Sequence, residues 1–514
     1  MPSKIFSAAV FGFDCRLVEV EADILNGTSS MTIVGLGDAS VQESKERIRS
    51  AIKNSGAEYP RRKKTVNLAP ADLRKHGPMY DLPIALGLLM QSEQIPKNCL
   101  DQTLMLGELA LSGQLRRTSG VLPITSFAQQ LGFLQIIVPE ENAAEAAAVE
   151  GIHVIPTRDL LQLISHLRGE QKIEPFEHHE EKAAPVTEYF WRFEDIRGQE
   201  NAKRALMIAA AGEHNVLFYG PPGSGKTLLA RALPSILPPL SFDESIEVTK
   251  IYSIAGRLTT GESRITRPPF RSIHHTASAI SLIGGGSIPR PGEISLAHRG
   301  VLFLDELLEF PRAALDCLRQ PLEDGSVTVT RVAGSWTFPA EFTLLAATNP
   351  CACGYLGDAV KACICTPSNL QQYRKKLSGP LLDRIDLMCY VPRLPLEKIT
   401  SETSSETSAD IQQKVLAARK IQSARYSSKE KTGICTNGKI SSSAIKQHIS
   451  LGGESMKLLK EAFATFHCSG RAYYRILKTA RTIADLENSP EIQPHHLAEA
   501  LQYRPKFDNG NNST

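Results

Sequence analysis

Short apolar runs alternate with longer amphipathic stretches through the first 168 residues, the pattern of an α/β domain. Met31–Val34, Thr65–Leu68, Leu134–Pro139 and His153–Pro156 are predicted strands. Val41–Ser55 reads as a charged amphipathic helix, Leu82–Met90 as a buried one, and Ala143–Val149 as a helix between the last two strands. Residues 169–190 carry no apolar period and are predicted to be a linker, in which His178 and His179 belong to a solvated tether. Periodicity resumes at Trp191: Phe193–Gln199 leads into a helix over Asn201–Ala211, and Val216–Tyr219 is a buried strand. Gly300–Leu304 and Phe342–Thr348 are further buried strands. Between them, Ser326–Arg331 turns at Ala333 and Gly334 into Ser335–Phe338, a predicted hairpin. The Gly/Pro-rich segment from Pro268 to His298 is too long for a simple connection and is expected to be an inserted loop or hairpin. Residues 396–410 form a flexible linker around the low-complexity run 400–408. From 411 to 505 the chain is helical, with one stripe over Met456, Leu459, Phe463 and Phe466 and another over Ile476, Leu477, Ala480, Ile483 and Ala484. The tail from Phe507 to Thr514 is too polar to pack.

Length sharpens this division, since 514 residues exceed one hydrophobic core and about two to four domains are expected. A net charge of +3 neither requires nor excludes nucleic acid. The N-terminus lacks a signal-peptide core, and the apolar run Leu82–Met90 is too short to span a bilayer, so a cytoplasmic protein with no membrane partner is expected. Ten cysteines in that setting are free thiols or metal ligands. The basic tetrad Arg61–Lys64 fits a solvated strand entrance better than a phosphate site.

The chemistry centres on Gly220-Pro221-Pro222-Gly223-Ser224-Gly225-Lys226-Thr227, between the strand Val216–Tyr219 and a following helix. This glycine-rich turn points backbone N–H groups inward to cradle the phosphates of ATP. Lys226 reaches the β- and γ-phosphates, and the Thr227 hydroxyl ligates Mg²⁺. Asp305 and Glu306 follow the strand Gly300–Leu304; Asp305 is placed for the Mg²⁺ shell and Glu306 for polarising the attacking water, with helix capping as the plainer alternative. Asn349 ends the next strand and can bond the water or γ-phosphate. Arg384 is an additional cation, most useful when supplied by a neighbouring subunit. Cys351-x-Cys353 and Cys363-x-Cys365 offer four thiols in two chelating pairs, a set that suits structural Zn²⁺, with a compact loop of reduced thiols as the alternative. The isolated Cys15, Cys99, Cys317, Cys389, Cys435 and Cys468 are expected to be inert.

These four nucleotide signals in this order resemble an AAA+ ATPase, which implies a homo-oligomeric ring, a hexamer, with sites between subunits. The two insertions look like those of the AAA+ branch that contains magnesium chelatase and the MCM helicases, which implies that both face the ring's pore. There Arg264, Arg267, Arg271, Arg290 and Arg331 would contact DNA phosphates, unless acids such as Glu262 and Glu293 pair with them. His274 and His275 are expected to tether their loop. The C-terminal helices look like an AAA+ lid, which implies that Arg471 senses the γ-phosphate, with Arg475 sharing or replacing it.

Val34–Asp38, Val66–Asp72, Asp81–Ala85 and Leu106–Leu109 resemble a Lon-protease-like (ribosomal S5 domain 2-like) domain. Met79 follows Gly77-Pro78 where a protease has its Ser, and Leu122 stands where it has its Lys, so no peptidase chemistry is expected. Taken whole, the chain resembles the ComM/YifB family: a Lon-like domain without the Ser/Lys dyad (1–168), an AAA+ core of magnesium-chelatase type (191–395) and a helical lid (411–505). The family implies a DNA-dependent ATPase acting as a hexameric helicase in branch migration during natural transformation. The alternatives are the ATPase subunit of a magnesium-chelatase-like complex and a nucleotide-gated protein-remodelling ring.

Overall fold

The computed structural model describes residues 2–177, 190–259, 261–286, 289–331, 334–376, 379–395, 397, 406–427, 436–466 and 470–504. His178, His179, Ala333, the run 398–405, Cys435, Cys468 and the tail from 505 lie outside the described residues. The architecture is mixed α/β with a parallel sheet and a C-terminal helical region.

The N-terminal part is built on a seven-stranded mixed sheet. Two long antiparallel strands, Ser3–Phe11 and Asp14–Leu25, lie at its centre and were not among the predicted elements. The second alternates polar and buried positions (Val18, Val20 and Ala22 inward), a period-2 signal legible in the residues. Lys63–Ala69 and Ser30–Val34 extend the sheet on one side, and Thr103–Met105, Gln135–Pro139 and His153–Thr157 on the other. Helices Ala39–Asn54 and Asp81–Gln91 cover one face, the second buried along most of its length. The helix expected over Ala143–Val149 ends at Ala146. Lys64 corrects the picture of a solvated tetrad. Its ammonium donates to the carbonyls of Pro60 and Arg62 at 2.8 Å each and lies over the Tyr59 ring. The expected linker also starts later than residue 169: Ile173 is buried, and Phe176 N–H donates to Val154 O.

The second sheet has five parallel strands in the order Phe270–Ile273, Val301–Leu304, Thr343–Thr348, Val216–Tyr219, Leu387–Tyr390. Apart from Phe270–Ile273, its strands are near-continuous apolar runs, as expected where helices cover both faces. Phe270–Ile273 is the edge strand of this sheet, so the insertion expected from Pro268 begins only after it. That segment then forms a short helix, Ala279–Ile283, and a minimal hairpin pairing Gly284–Gly285 with Arg290–Pro291. The second hairpin pairs Ser326–Arg331 with Gly334–Pro339 as expected.

Helices Ser408–Ser427, Gly453–Phe466, Gly470–Leu486 and Pro494–Gln502 pack behind the second sheet and share one core with it, including Val216, Phe218, Leu345, Ile476, Ala480 and Leu497. Ile476, Leu477, Ala480, Ile483 and Ala484 are all buried, as the stripe predicted. The N-terminal part meets the rest of the chain at the helix Phe242–Ala255 and at the second hairpin. Gly120 N–H donates to Ser253 O at 3.0 Å, and Phe11 rests on Trp336 of the second hairpin with ring centroids 5.4 Å apart. Among the described residues no helix is long and apolar enough to cross a membrane.

Candidate nucleotide site

The glycine-rich turn leaves the C-terminal end of the strand Val216–Tyr219, the end at which open α/β sheets bind ligands. Gly223 and Gly225 adopt φ of 75° and 91°, left-handed values that cost a side chain energy and that open the turn. Lys226 begins the helix Lys226–Ala232 and folds back, donating to Gly220 O at 2.8 Å and Pro221 O at 2.9 Å. Burial pulls its pKa below the ordinary lysine value, against the opposing charges of Asp305 and Glu306. A buried ammonium among carbonyls and N–H groups is suited to a polyphosphate.

The strand order brings the other signals to this turn. Thr227 Oγ1 donates to Asp305 Oδ2 at 2.8 Å, so hydroxyl and carboxylate converge as a Mg²⁺ shell requires. Asn349, at the end of the adjacent strand, lies 3.5 Å from Lys226 Nζ through its Oδ1. Glu306 stands just beyond Asp305 with φ of 52°, its carbonyl accepting from Glu309 N–H and its own N–H bonded to Asp305. The donor set fits a magnesium–nucleotide complex: the turn, Lys226, Thr227 and Asp305 would hold it, and the ion would neutralise phosphate charge.

Gln199 belongs to this site although sequence reasoning passed over it. Its Nε2 donates to Ser224 O at 3.1 Å and to Pro392 O at 2.8 Å, stapling the turn to the end of the neighbouring strand. Its φ of 59° is a positional oddity that no sequence pattern announces.

Arg384, Arg471 and Arg475 gather elsewhere. Arg384 precedes the strand Leu387–Tyr390, whose register places Leu387 beside Val216, at the end of that strand opposite the turn. Four residues at about 3.3 Å each put roughly 13 Å between the two ends. Arg384 pairs with Glu323 and donates to Pro380 O at 2.7 Å, while Arg471 lies 3.9 Å from the same Glu323. Arg475 donates to Ile385 O at 3.0 Å and sits 3.7 Å from Asp386. Burial pulls Arg475 below its usual pKa; Asp386, despite the upward pull of its own burial, is held below the normal carboxylate range by His214, Arg475 and Lys478. All three arginines line an open cleft of about 1180 Å³ between the segment 238–247, the helix Arg319–Asp324 and the C-terminal helices. None joins Lys226 within one chain.

The arginines of the insertions divide as well. Arg271 is on the edge strand and forms a short double contact with Glu293 (2.7 and 2.6 Å), so the pairing alternative holds for it and it is not available to a phosphate. Arg264 covers the Phe242 ring, whereas Glu262 bonds Thr259. Arg290 and Arg331 are exposed near the ends of the two hairpins. A Cβ on Gly285 would fall 2.8 Å from Arg331 Nη2, so the two hairpins touch.

The four thiols converge. Cys351, Cys353 and Cys363 place their Sγ atoms 3.4, 3.7 and 3.5 Å apart, and Cys353 N–H donates to Cys365 Sγ at 3.4 Å. A tetrahedral zinc with Zn–S bonds of about 2.3 Å has sulfur–sulfur edges of about 3.8 Å, so the spacing fits. Backbone N–H groups of Tyr355 and Ile364 pull the Cys353 thiol down to about 6, while the thiols of Cys363 and Cys365, crowded by their sulfur neighbours, are raised. The loop also abuts the nucleotide turn, since a Cβ on Gly354 would lie 2.9 Å from Pro222 Cδ. Glu487, His495 and His496 form a second group of ligand type, but Arg204 also pairs with Glu487 and opposes a cation there.

Comparison with known proteins agrees with this architecture along the chain. Residues 192–399 match the family model for magnesium chelatase subunit ChlI, residues 20–142 that for subunit ChlI of Mg-chelatase, and residues 405–504 that for the ChlI C-terminal region. The chain is 42% identical over 505 residues to competence protein ComM of Haemophilus influenzae, covering 97% of both chains. It is 42% identical over 504 residues to the YifB protein of Salmonella typhimurium, covering 97% of this chain and 96% of that one. A 172-residue stretch is 31% identical to Lon protease 2 of Bacillus subtilis, covering 32% of this chain and 30% of that protein.

Proposed function

The chain belongs to the ComM and YifB family of magnesium-chelatase-like AAA+ ATPases, and from that membership we propose that it is a hexameric motor that drives branch migration of DNA during natural transformation. The observation that carries this reading is the pair of touching hairpins with Arg290 and Arg331 exposed. Planar guanidinium groups bind phosphate oxygens in pairs without reading bases, so such a surface grips a strand of any sequence. The competence name of the Haemophilus relative points the same way. In this reading residues 1–168 are a Lon-like scaffold without peptidase activity, 191–395 the ATPase core and 411–505 the lid, with the stretches 169–190 and 396–410 between them. The motor works in the cytoplasm with DNA and copies of itself as partners.

Within the nucleotide site, Lys226 and the turn Gly220–Gly225 bind the phosphates, and Thr227 and Asp305 hold Mg²⁺. Glu306 takes a proton from the attacking water, and Asn349 orients that water. Arg384, with Arg471 and Arg475 on the same cleft, serves the neighbouring subunit's site. The lid arginines are thus assigned across an interface, because their cleft lies at the far end of the strand that bears the turn.

The DNA assignment is tested by ATP turnover with and without single-stranded and forked DNA, and by strand displacement from a three-strand junction. DNA should stimulate turnover independently of sequence, with binding that weakens steeply as salt rises. Replacing Arg331 and Arg290 by Ala should cut the stimulation, whereas Arg271→Ala should instead lower thermal stability. Stimulation only by a porphyrin-chelatase partner would favour the chelatase ATPase, and stimulation by neither would favour a remodelling ring.

The four cysteines support a structural zinc. Purified protein is expected to hold about one zinc per chain, four thiolates filling one tetrahedral shell. Metal analysis after chelator-free purification checks this, and Cys363→Ser should lower the content; absence of zinc from the unmodified protein would leave a loop of reduced thiols.

A further inference from the structure

The loop that carries the four thiols touches the C-terminal ends of three strands of the second sheet. Cys351 stands two residues beyond Asn349, which ends the strand Thr343–Thr348. Gly354 adopts φ of 85°, and a Cβ there would fall 2.9 Å from Pro222 Cδ and 3.9 Å from Asn349 Cγ. The loop thus presses at once on the glycine-rich turn and on the amide whose Oδ1 lies 3.5 Å from Lys226 Nζ. Its far side is fastened to the next strand end, where Tyr390 Oη donates to Gly357 O at 2.9 Å and Arg393 lies 3.4 Å from Asp358. The thiols are also accessible. Cys351 is buried, but Cys353, Cys363 and Cys365 are half-buried, and Val360 and Ile364 of the same loop are exposed. Cys353 and Cys363 stand on opposite arms of the loop with their Sγ atoms 3.5 Å apart. A disulfide bond is about 2.0 Å long, so joining them would draw the arms together by roughly 1.5 Å.

We propose that the cysteine cluster is a redox control on the nucleotide site, in which a hydroperoxide converts two zinc-holding thiolates into a Cys353–Cys363 disulfide and so disturbs the turn and Asn349. The Cys353 sulfur attacks one peroxide oxygen and breaks the O–O bond. This leaves a sulfenic acid, and the departing oxygen takes a proton to become water or an alcohol. The Cys363 thiolate then displaces hydroxide from the sulfenic sulfur, forming the S–S bond, and the hydroxide takes a second proton. Two electrons pass from the two sulfurs to the peroxide. Zn²⁺, left with two of its four ligands, dissociates. Because Gly354 follows Cys353 directly and already lies against Pro222, the contraction reaches the turn through one residue. A dithiol reverses the step by taking over the disulfide, and zinc rebinds. In a reducing compartment such a bond is transient, as a control requires.

This inference rests on the zinc and nucleotide-site readings above, and its test separates it from them. Full-length protein is treated with hydrogen peroxide. Zinc release is followed with a chromophoric chelator, the disulfide by peptide mapping, and the nucleotide site by ATP turnover. About one zinc per chain should leave as the Cys353–Cys363 bond forms. Turnover should fall about tenfold or more, and a dithiol with added zinc should restore it. Gly354→Ala tests the mechanical link without an oxidant. It should keep its zinc yet turn over about tenfold more slowly, since the added Cβ meets Pro222 and the left-handed backbone resists a side chain. Undiminished turnover once zinc has left and the disulfide has formed would overturn the control and leave the zinc site standing. Wild-type turnover in zinc-replete Gly354→Ala would overturn the link through the turn. Turnover lost while the four thiols stay reduced would place the sensitivity elsewhere and overturn the proposal as well. Protein that holds no zinc, but whose turnover is lost and regained with the Cys353–Cys363 bond, would remove the zinc reading and uphold the thiol control.

Discussion

Arg384→Ala protein should bind ATP and hydrolyse it at least about 10³-fold more slowly, the lower range seen when a transition-state arginine is removed. Because Arg384 is remote from its own chain's turn, this loss should be felt by a neighbour. Arg384 lies at the end of the sheet away from the glycine-rich turn, beside Glu323 and Pro380, and roughly 13 Å of strand separates it from Gly220 of its own chain. Mixing Arg384→Ala with Lys226→Ala protein checks this directly. Each is inactive alone, but some mixed interfaces pair an intact turn with an intact arginine, so activity should reappear and peak at intermediate ratios. No recovery at any ratio, in rings shown to exchange subunits, would place Arg384 in its own subunit's chemistry. Arg471→Ala and Arg475→Ala should follow the same mixing behaviour, since both line the Arg384 cleft.

The second large effect divides binding from chemistry at the turn. Glu306→Gln should keep wild-type ATP affinity and lose turnover by about 10²–10⁴-fold, the usual range for removing a general base. The substitution keeps the shape of the side chain and the Thr227–Asp305 contact. Lys226→Ala should instead weaken nucleotide binding itself, by about 30-fold or more, because a phosphate would then face a buried turn without its cation. Equilibrium binding of a fluorescent ATP analogue and steady-state phosphate release separate the two variants. Turnover at the wild-type rate in Glu306→Gln would remove that residue from water activation.

The sequence by itself determined the elements whose causes are local. A glycine-rich turn between an apolar strand and a helix is legible because backbone conformation there depends on the residues in place, and Gly223 and Gly225 do adopt left-handed φ. The strand Val301–Leu304, the hairpin Ser326–Pro339 and the buried stripe of the helix Gly470–Leu486 were equally legible, since strand and helix periods are written along the chain. Ser3–Phe11 and Asp14–Leu25 were also written there, in the alternation of Val18, Val20 and Ala22, but were passed over. What tertiary structure alone decided was pairing between distant segments. Strand order made Phe270–Ile273 an edge strand rather than part of an insertion, and so handed Arg271 to Glu293 and left Arg290 and Arg331 exposed. The same register set His275 beside Glu306, where sequence favoured a loop tether, and the parallel pairing of Leu387 with Val216 sent Arg384 away from Lys226. Such contacts hang on a register fixed by buried side chains from the whole sheet, and a one-residue shift would undo each of them, so no local stretch of sequence carries them.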